Sequence, residues 1–436
     1  MKSEKAGLSE MLSYGGIQFS STIFIAFSSY YLMSFYTDVA LIPPTVTATV
    51  LMSLHFCSAI DGQIAGVFIN RLNFRQGKYR PYFKWLAFPL AISLILMVLV
   101  PDASLGVRIV YAVITLFVCQ LICTVLDMSA WACLPHIALG DEERTKFVSF
   151  AVAFSVVAFI LVGTFMIPLV DFLGGGDDKT GYALTMALFA AIAAPLLING
   201  YHRLKERHFV TQTEKPSIRV VFSAIIGRKR IRLFMAGYCL YATADSIRSQ
   251  TTYFFMTYNM DRLDLLPVII MAGILASFLM QPVIPILLSR FKKETLLAAG
   301  LIAASIASFL VLFVGDSISF LIVCVVLYGI FTAIFANLVF TVMASFADEI
   351  REHHSINISE FLTATMRFSS KLGISIASGV APFTLALTGY SAQADYQTPE
   401  ALMGIRVLYV ICTAAGMALA GAVFLRLNKQ QIQHSD

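Results

Sequence analysis

A lone carboxylate, Asp61, stands in HFCSAIDGQIAG, inside an otherwise uncharged stretch from about residue 46 to 69. The other ionisable residues set deep in apolar runs are Asp127, Asp245, Arg248, Arg367 and Lys371. A charge inside a bilayer costs on the order of 3 kcal/mol at the least, so each should face a cavity or a partner. In TVLDMSAW, helical geometry puts Thr124, Asp127 and Trp131 within one arc of about 60°. A carboxylate there can accept two sugar hydroxyls while an indole stacks on the apolar face of the ring. The same residues would also serve as a helix-packing hydrogen bond beside an interfacial tryptophan. Asp245 and Arg248, three apart, either pair with each other or hold a charged group of a solute. Arg367 and Lys371, four apart, share a face and repel, so at least one should meet an acid or an anionic solute. Lys371 is the deeper, and Arg367 can snorkel towards water.

The elements that must position these groups are membrane helices. Of 436 residues, 58% are hydrophobic and only 13% charged, with a mean hydropathy of +0.79, far from a soluble domain. Twelve apolar runs are long enough to cross a bilayer, from 15–36 to 402–425. The first lacks a small-residue cleavage site and reads as a retained span. Of the 31 Lys and Arg, only Arg108, Lys179, Arg262 and Arg406 fall on loops of the face opposite the N-terminus. The positive-inside rule then predicts an integral plasma (inner) membrane protein, multi-pass, with both termini cytoplasmic. That distribution also excludes nucleic acid as the partner of the +5 net charge. The seven cysteines lie within spans without a CxxC pair, which argues against a disulfide framework and a metal site.

The polar segment 201–232 divides the chain into six-helix bundles at 1–200 and 233–436. Basic turns at 70–84 and 289–294 occupy corresponding places in the two halves. The predicted fold class is therefore an all-α membrane protein of the major facilitator fold, twelve transmembrane helices in two six-helix halves, with its substrate site at the repeat interface. Prolines within spans (168, 195, 282, 285, 382) and glycines such as Gly237, Gly329, Gly373 and Gly379 mark expected kinks and close helix contacts. Gly66-x-x-x-Asn70-Arg71 resembles the cytoplasmic gating motif of major facilitator transporters, with Asn70 where an Asp is usual. An ordinary basic anchor reads equally well from these residues.

Several segments together resemble the glycoside-pentoside-hexuronide:cation symporters: LSYG at 12–15, YYLMSFYTDV at 30–39, GKYRP at 77–81, TVLDMSAWACLPHIALGDEERTKF at 124–147, GGGD at 174–177, SSKLG at 369–373 and ALMGIRVLY at 401–409. The resemblance implies that Asp127 contacts sugar and Trp131 stacks on it. It implies that Thr124 and Lys371 lie by the cation site and that Arg144 belongs to the gating loop after span four. It also marks departures. The sugar-binding acid and lysine of span one fall on Thr22 and Ser21, the arginine of span five on Val152, and the two acids of span two on Ser58 and Gly62.

The function expected is secondary active, cation-coupled symport of a small polar glycoside- or hexuronide-like solute by alternating access. Asp127, Trp131, Thr22, Asp245 and Arg248 are the expected substrate residues, Asp61, Thr124 and Lys371 the coupling residues, and Asn70, Arg71 and Arg144 the gate. Sodium wants several hard oxygens, whereas one desolvated carboxylate can carry one proton, so H⁺ is preferred to Na⁺ as coupling ion. No other cofactor is expected, and the partners are the solute and the lipid bilayer around a monomer. The alternatives are an anionic or zwitterionic solute and an amphipath or lipid translocator. An enzyme is not expected, since HExxH, GxSxG and metal-spaced clusters are absent.

Overall fold

The computed structural model describes residues 7–56, 77, 79–138, 140–207, 228–281, 283–315, 317–354, 359–392, 394 and 396–435. Within them all regular structure is helical. The longer elements are α1 (Leu8–Tyr30), α2 (44–56), α3 (Ala87–Leu96), α4 (Leu105–Ile137), α5 (Gly140–Gly174) and α6 (Asp178–Arg203). After the central segment follow α7 (Lys229–Phe254), α8 (Leu266–Met280), α9 (Lys293–Leu310), α10 (Ile318–His354), α11 (Ser359–Leu387) and α12 (Thr413–Ser435). In hydrocarbon every backbone N–H and C=O must bond within its own segment, which is why such apolar runs close into helices. Among the described residues, eight helices are long and apolar enough to cross a bilayer.

The chain divides into two compact units, one of Met1–Val50 with Ile60–Gln212, the other of Leu51–Ala59 with Thr213–Asp436. In the first, an aromatic cluster of Phe27, Phe35 and Tyr182 ties α1 to α6, with ring centroids 5.1 to 6.3 Å apart. In the second, Phe234, Phe335 and Phe424 bring α7, α10 and α12 together. Glycine sets how closely some of these helices approach. A Cβ on Gly373 of α11 would lie 2.5 Å from Cys239 O of α7, and one on Gly329 of α10 would lie 2.6 Å from Gly273 O of α8. Pro168, Pro195 and Pro382 lie inside α5, α6 and α11, as expected, while Pro282 falls outside the described residues.

One backbone device occurs in both units. The chain leaves the α1 region through a π-helical turn, Phe35–Val39, and leaves α7 through another, Phe255–Asn259. Ala40 N donates to Phe35 O and Ile42 N to Tyr36 O, both at 2.8 Å. In the second unit Met260 N donates to Phe255 O at 3.1 Å and Arg262 N to Met256 O at 3.0 Å. Each turn ends on a non-glycine residue with positive φ, Leu41 at 52° and Asp261 at 49°. This offset places Phe35 on Phe255, Thr37 on Thr257 and Leu41 on Asp261, a sharper internal repeat than the basic turns.

The first residues of the expected central loop belong to the first unit. Tyr201–Arg203 are the last turn of α6. Glu206 Oε1 accepts from Tyr79 N and Arg80 N at 2.9 Å each, so it caps the short helix Arg80–Trp85, whose second residue is proline. Arg207 donates to both oxygens of Glu10, at 2.8 and 2.5 Å, and its backbone N–H bonds His136 O. Residues 208–227 lie outside the described residues.

Candidate functional site

Polar side chains collect in two places, one in each unit. In the first, α4 presents Asp127 and Trp131 one turn apart, and the indole Nε1–H donates to Asp127 Oδ1 at 2.9 Å. Both are half-buried. Asp127 lies about 15 Å and Trp131 about 9 Å along the helix axis from its end at Ile137. The indole is therefore held edge-on by the carboxylate, and its ring orientation is fixed. Helix α1 approaches α4 here, because Tyr14 Oη donates to Ala130 O at 3.1 Å and lies within electrostatic reach of Asp127.

Tyr14, Gln18 and Thr22 are four apart on α1 and so share a face. Thr22 Oγ1 donates to Gln18 O at 2.6 Å and lies 3.2 Å from Ser155 Oγ of α5. Gln18 is buried, and its side chain lies in hydrogen-bonding reach of the Tyr14 hydroxyl. Sequence reading passed over Gln18, although its place between Tyr14 and Thr22 at helical spacing is a usable signal. Thr124 Oγ1 accepts from Gln120 Nε2 at 3.3 Å along α4. Ser21 is turned to its own helix carbonyls. Val152, where the resemblance implies an arginine, is exposed on α5.

In the second unit Asp245 and Arg248 are brought together without forming an ion pair within 4 Å, so the mutual-pairing alternative does not describe them. Asp245 Oδ1 accepts from Tyr328 Oη of α10 at 3.0 Å. The Arg248 guanidinium carbon lies 4.1 Å from the Tyr328 ring centroid and 4.5 Å from that of Tyr409. Its Nη1 donates to Ser308 Oγ of α9 at 3.3 Å. Tyr409 in turn stacks on Phe255 with centroids 4.3 Å apart, so the π-turn after α7 backs the clamp. Next to it Gln250 Nε2 donates to Ser378 Oγ of α11 at 3.2 Å.

Lys371 is half-buried on α11, and His55, a residue the sequence reading did not single out, lies within its electrostatic reach. Arg367 is exposed, in line with a snorkelling side chain. Arg144 is half-buried at the start of α5 with its Nε unbonded. Asp61, Ser58, Gly62, Asn70 and Arg71 lie outside the described residues, so the coupling and gating expectations that fall on them have no geometry. The described cysteines are buried or half-buried and unpaired, and among the described residues no His, Cys, Asp and Glu group could hold a metal.

Two interior polar clusters in an all-helical membrane scaffold are the anatomy of a solute carrier. Residues 13–429 match the family model described as MFS/sugar transport protein. The chain belongs to that family. This transporter is 25% identical to the isoprimeverose transporter of Lactiplantibacillus pentosus over 98% of its own length and 89% of that protein's. It is 26% identical to the uncharacterized symporter YnaJ of Bacillus subtilis (strain 168), over 96% and 91% of the two chains. Among solved structures, a D-xylose-proton symporter matches with a TM-score of 0.70 at 14% identity, over 96% of each chain, which confirms the major facilitator fold. The protein is thus a secondary transporter of this superfamily, integral to a membrane.

Proposed function

We propose that the transporter carries a glycoside-like solute into the cell by proton-coupled symport. The observation that carries this reading is the Asp127–Trp131 pair, a carboxylate and an indole locked together inside the first unit, with the buried amide of Gln18 on the neighbouring helix. A hydroxylated ring needs acceptors and donors around its rim and an apolar plane for its face, and these residues supply all three. Thr22, in place of an acid, supplies a neutral hydroxyl. The isoprimeverose transporter, similar along nearly the whole chain, supports a glycoside as cargo. The distribution of Lys and Arg supports termini on the cytoplasmic side.

The proton is assigned to Asp61, with Thr124 and Lys371 as the other expected coupling residues. A single carboxylate in place of an acid pair is suited to one proton and thinly equipped for sodium. Uptake of labelled glycosides into proteoliposomes tests both parts. Asp127→Asn and Trp131→Ala should each lower uptake at least tenfold. A pH gradient should drive accumulation in wild type and fail to do so in Asp61→Asn. Accumulation driven by a sodium gradient alone would sink the proton reading, and full uptake in Asp127→Asn would sink the site.

A further inference from the structure

Arg248 is 5% exposed, and its Nη2 is buried without a hydrogen-bond partner. The other features of its surroundings fix it in place: the Tyr328 and Tyr409 rings against the guanidinium and Ser308 at Nη1. Asp245 lies within electrostatic range of Arg248 but forms no ion pair with it within 4 Å, and its Oδ1 accepts from the Tyr328 hydroxyl. A guanidinium clamped between two rings can turn only its edge to a ligand, and an edge of parallel N–H groups matches the paired oxygens of an oxyacid.

The fold does not require this cation. In the register of the two π-turns Arg248 corresponds to Ser28 of α1, and Asp245 to Ile25, so the first unit builds the same helix and turn with neutral residues. A buried guanidinium with an open N–H donor is unfavourable unless something accepts from it. We propose that Arg248 is an anion subsite that receives the carboxylate or sulfonate of an acidic sugar or a related hydroxy acid. Asp245 has two roles there. It positions Tyr328, and through that ring the guanidinium, and its own charge disfavours a second negative charge on the ligand. The subsite therefore selects monoanions over phosphomonoesters, which carry close to two charges at neutral pH. The inference rests on the reading of the protein as a transporter of a glycoside-like solute and adds the charge of that solute.

The test uses the purified full chain and matched probes: methyl glucuronide against methyl glucoside, and glycerate against glycerol, with glucose 6-phosphate as the dianionic control. Thermal stabilisation should be half-maximal at least tenfold lower in concentration for the acid than for its neutral partner in one pair or both, with glucose 6-phosphate the weakest anion. Arg248→Lys, which keeps the charge and loses the fork, should abolish that preference. Equal binding of acid and neutral probe by wild type in both pairs would overturn the inference without any variant. So would a preference that survives Arg248→Lys, and a preference for glucose 6-phosphate would overturn the monoanion selection. Silence of both sugars with Arg248-dependent binding of glycerate would refute the glycoside reading and leave the anion subsite standing.

Discussion

Two arginines, the half-buried Arg207 of one unit and the buried Arg248 of the other, are treated in opposite ways. Arg207 of the first unit meets Glu10 through two hydrogen bonds, and its backbone is tied to His136 O. Arg248 of the second unit has two aromatic faces and a serine, with no carboxylate within ion-pair distance. The first charge is complete within the protein and fastens the end of α6 to α1. The second is held by two rings and a serine and left open at one nitrogen, which keeps a donor for an acceptor from outside the chain. A paired arginine is therefore evidence about stability, and an oriented, unsatisfied one is evidence about cargo.

Breaking the first arrangement should have the larger effect on folding. Arg207→Ala leaves Glu10, 7% exposed, without its partner, and a stranded buried charge of this kind costs about 3 kcal/mol. The detergent-solubilised variant should unfold well below wild type, and Glu10→Gln in the same background should recover part of the loss. Unchanged melting of Arg207→Ala would mean that the pair is not fastening anything.

Arg248→Gln should behave differently. It removes two cation–π contacts, about 2 kcal/mol when desolvated, but also relieves the burial of an open charge, so the net change in unfolding free energy should stay below that of Arg207→Ala. Thermal melts of the two variants side by side would measure the difference. A larger loss in Arg248→Gln would reverse the comparison and make Arg248 structural.

The indole of α4 gives a third contrast, between a ring that holds a charge and one that is held by it. Trp131→Phe keeps an aromatic plane and loses the N–H to Asp127, whereas Trp131→Ala loses both. A stacked ring contributes about 1 kcal/mol beyond its area, so glycoside affinity should fall several-fold in the first variant and tenfold or more in the second. Equal losses would place the whole effect in the hydrogen bond.

Much of the first cluster was legible, because a carboxylate and an indole at helical spacing inside an apolar run conflict with their solvent and so announce themselves. Asp245 and Arg248 were visible for the same reason. Their partners were not: Tyr328, Ser308 and Tyr409 come from three other helices, and tyrosine and serine are unremarkable in membrane spans. Glu206 and Arg207 read as solvated loop residues, since nothing local distinguishes a polar stretch in water from one folded back onto a helix end. The fold was legible from length, hydropathy and the order of the matching segments. The π-turn repeat was hidden because its identity lies in backbone hydrogen bonds, and only Phe, Thr and the spacing survive in the residues.

That repeat carries the smallest prediction. Leu41 and Asp261 hold the same left-handed backbone at the end of the same turn, at 52° and 49°. A β-carbon costs roughly 1 kcal/mol or more in that region, but aspartate tolerates it better than leucine because its short side chain bonds locally. Leu41→Gly should therefore raise the melting temperature more than Asp261→Gly, with the gain offset in part by the greater freedom of glycine in the unfolded chain. The ordering is set by the residue and not by the unit. Exchanging the two, with Leu41→Asp and Asp261→Leu, should stabilise the first turn and destabilise the second by similar amounts. If both exchanges destabilise, the turns are fixed by their surroundings and the halves are less alike than their backbones.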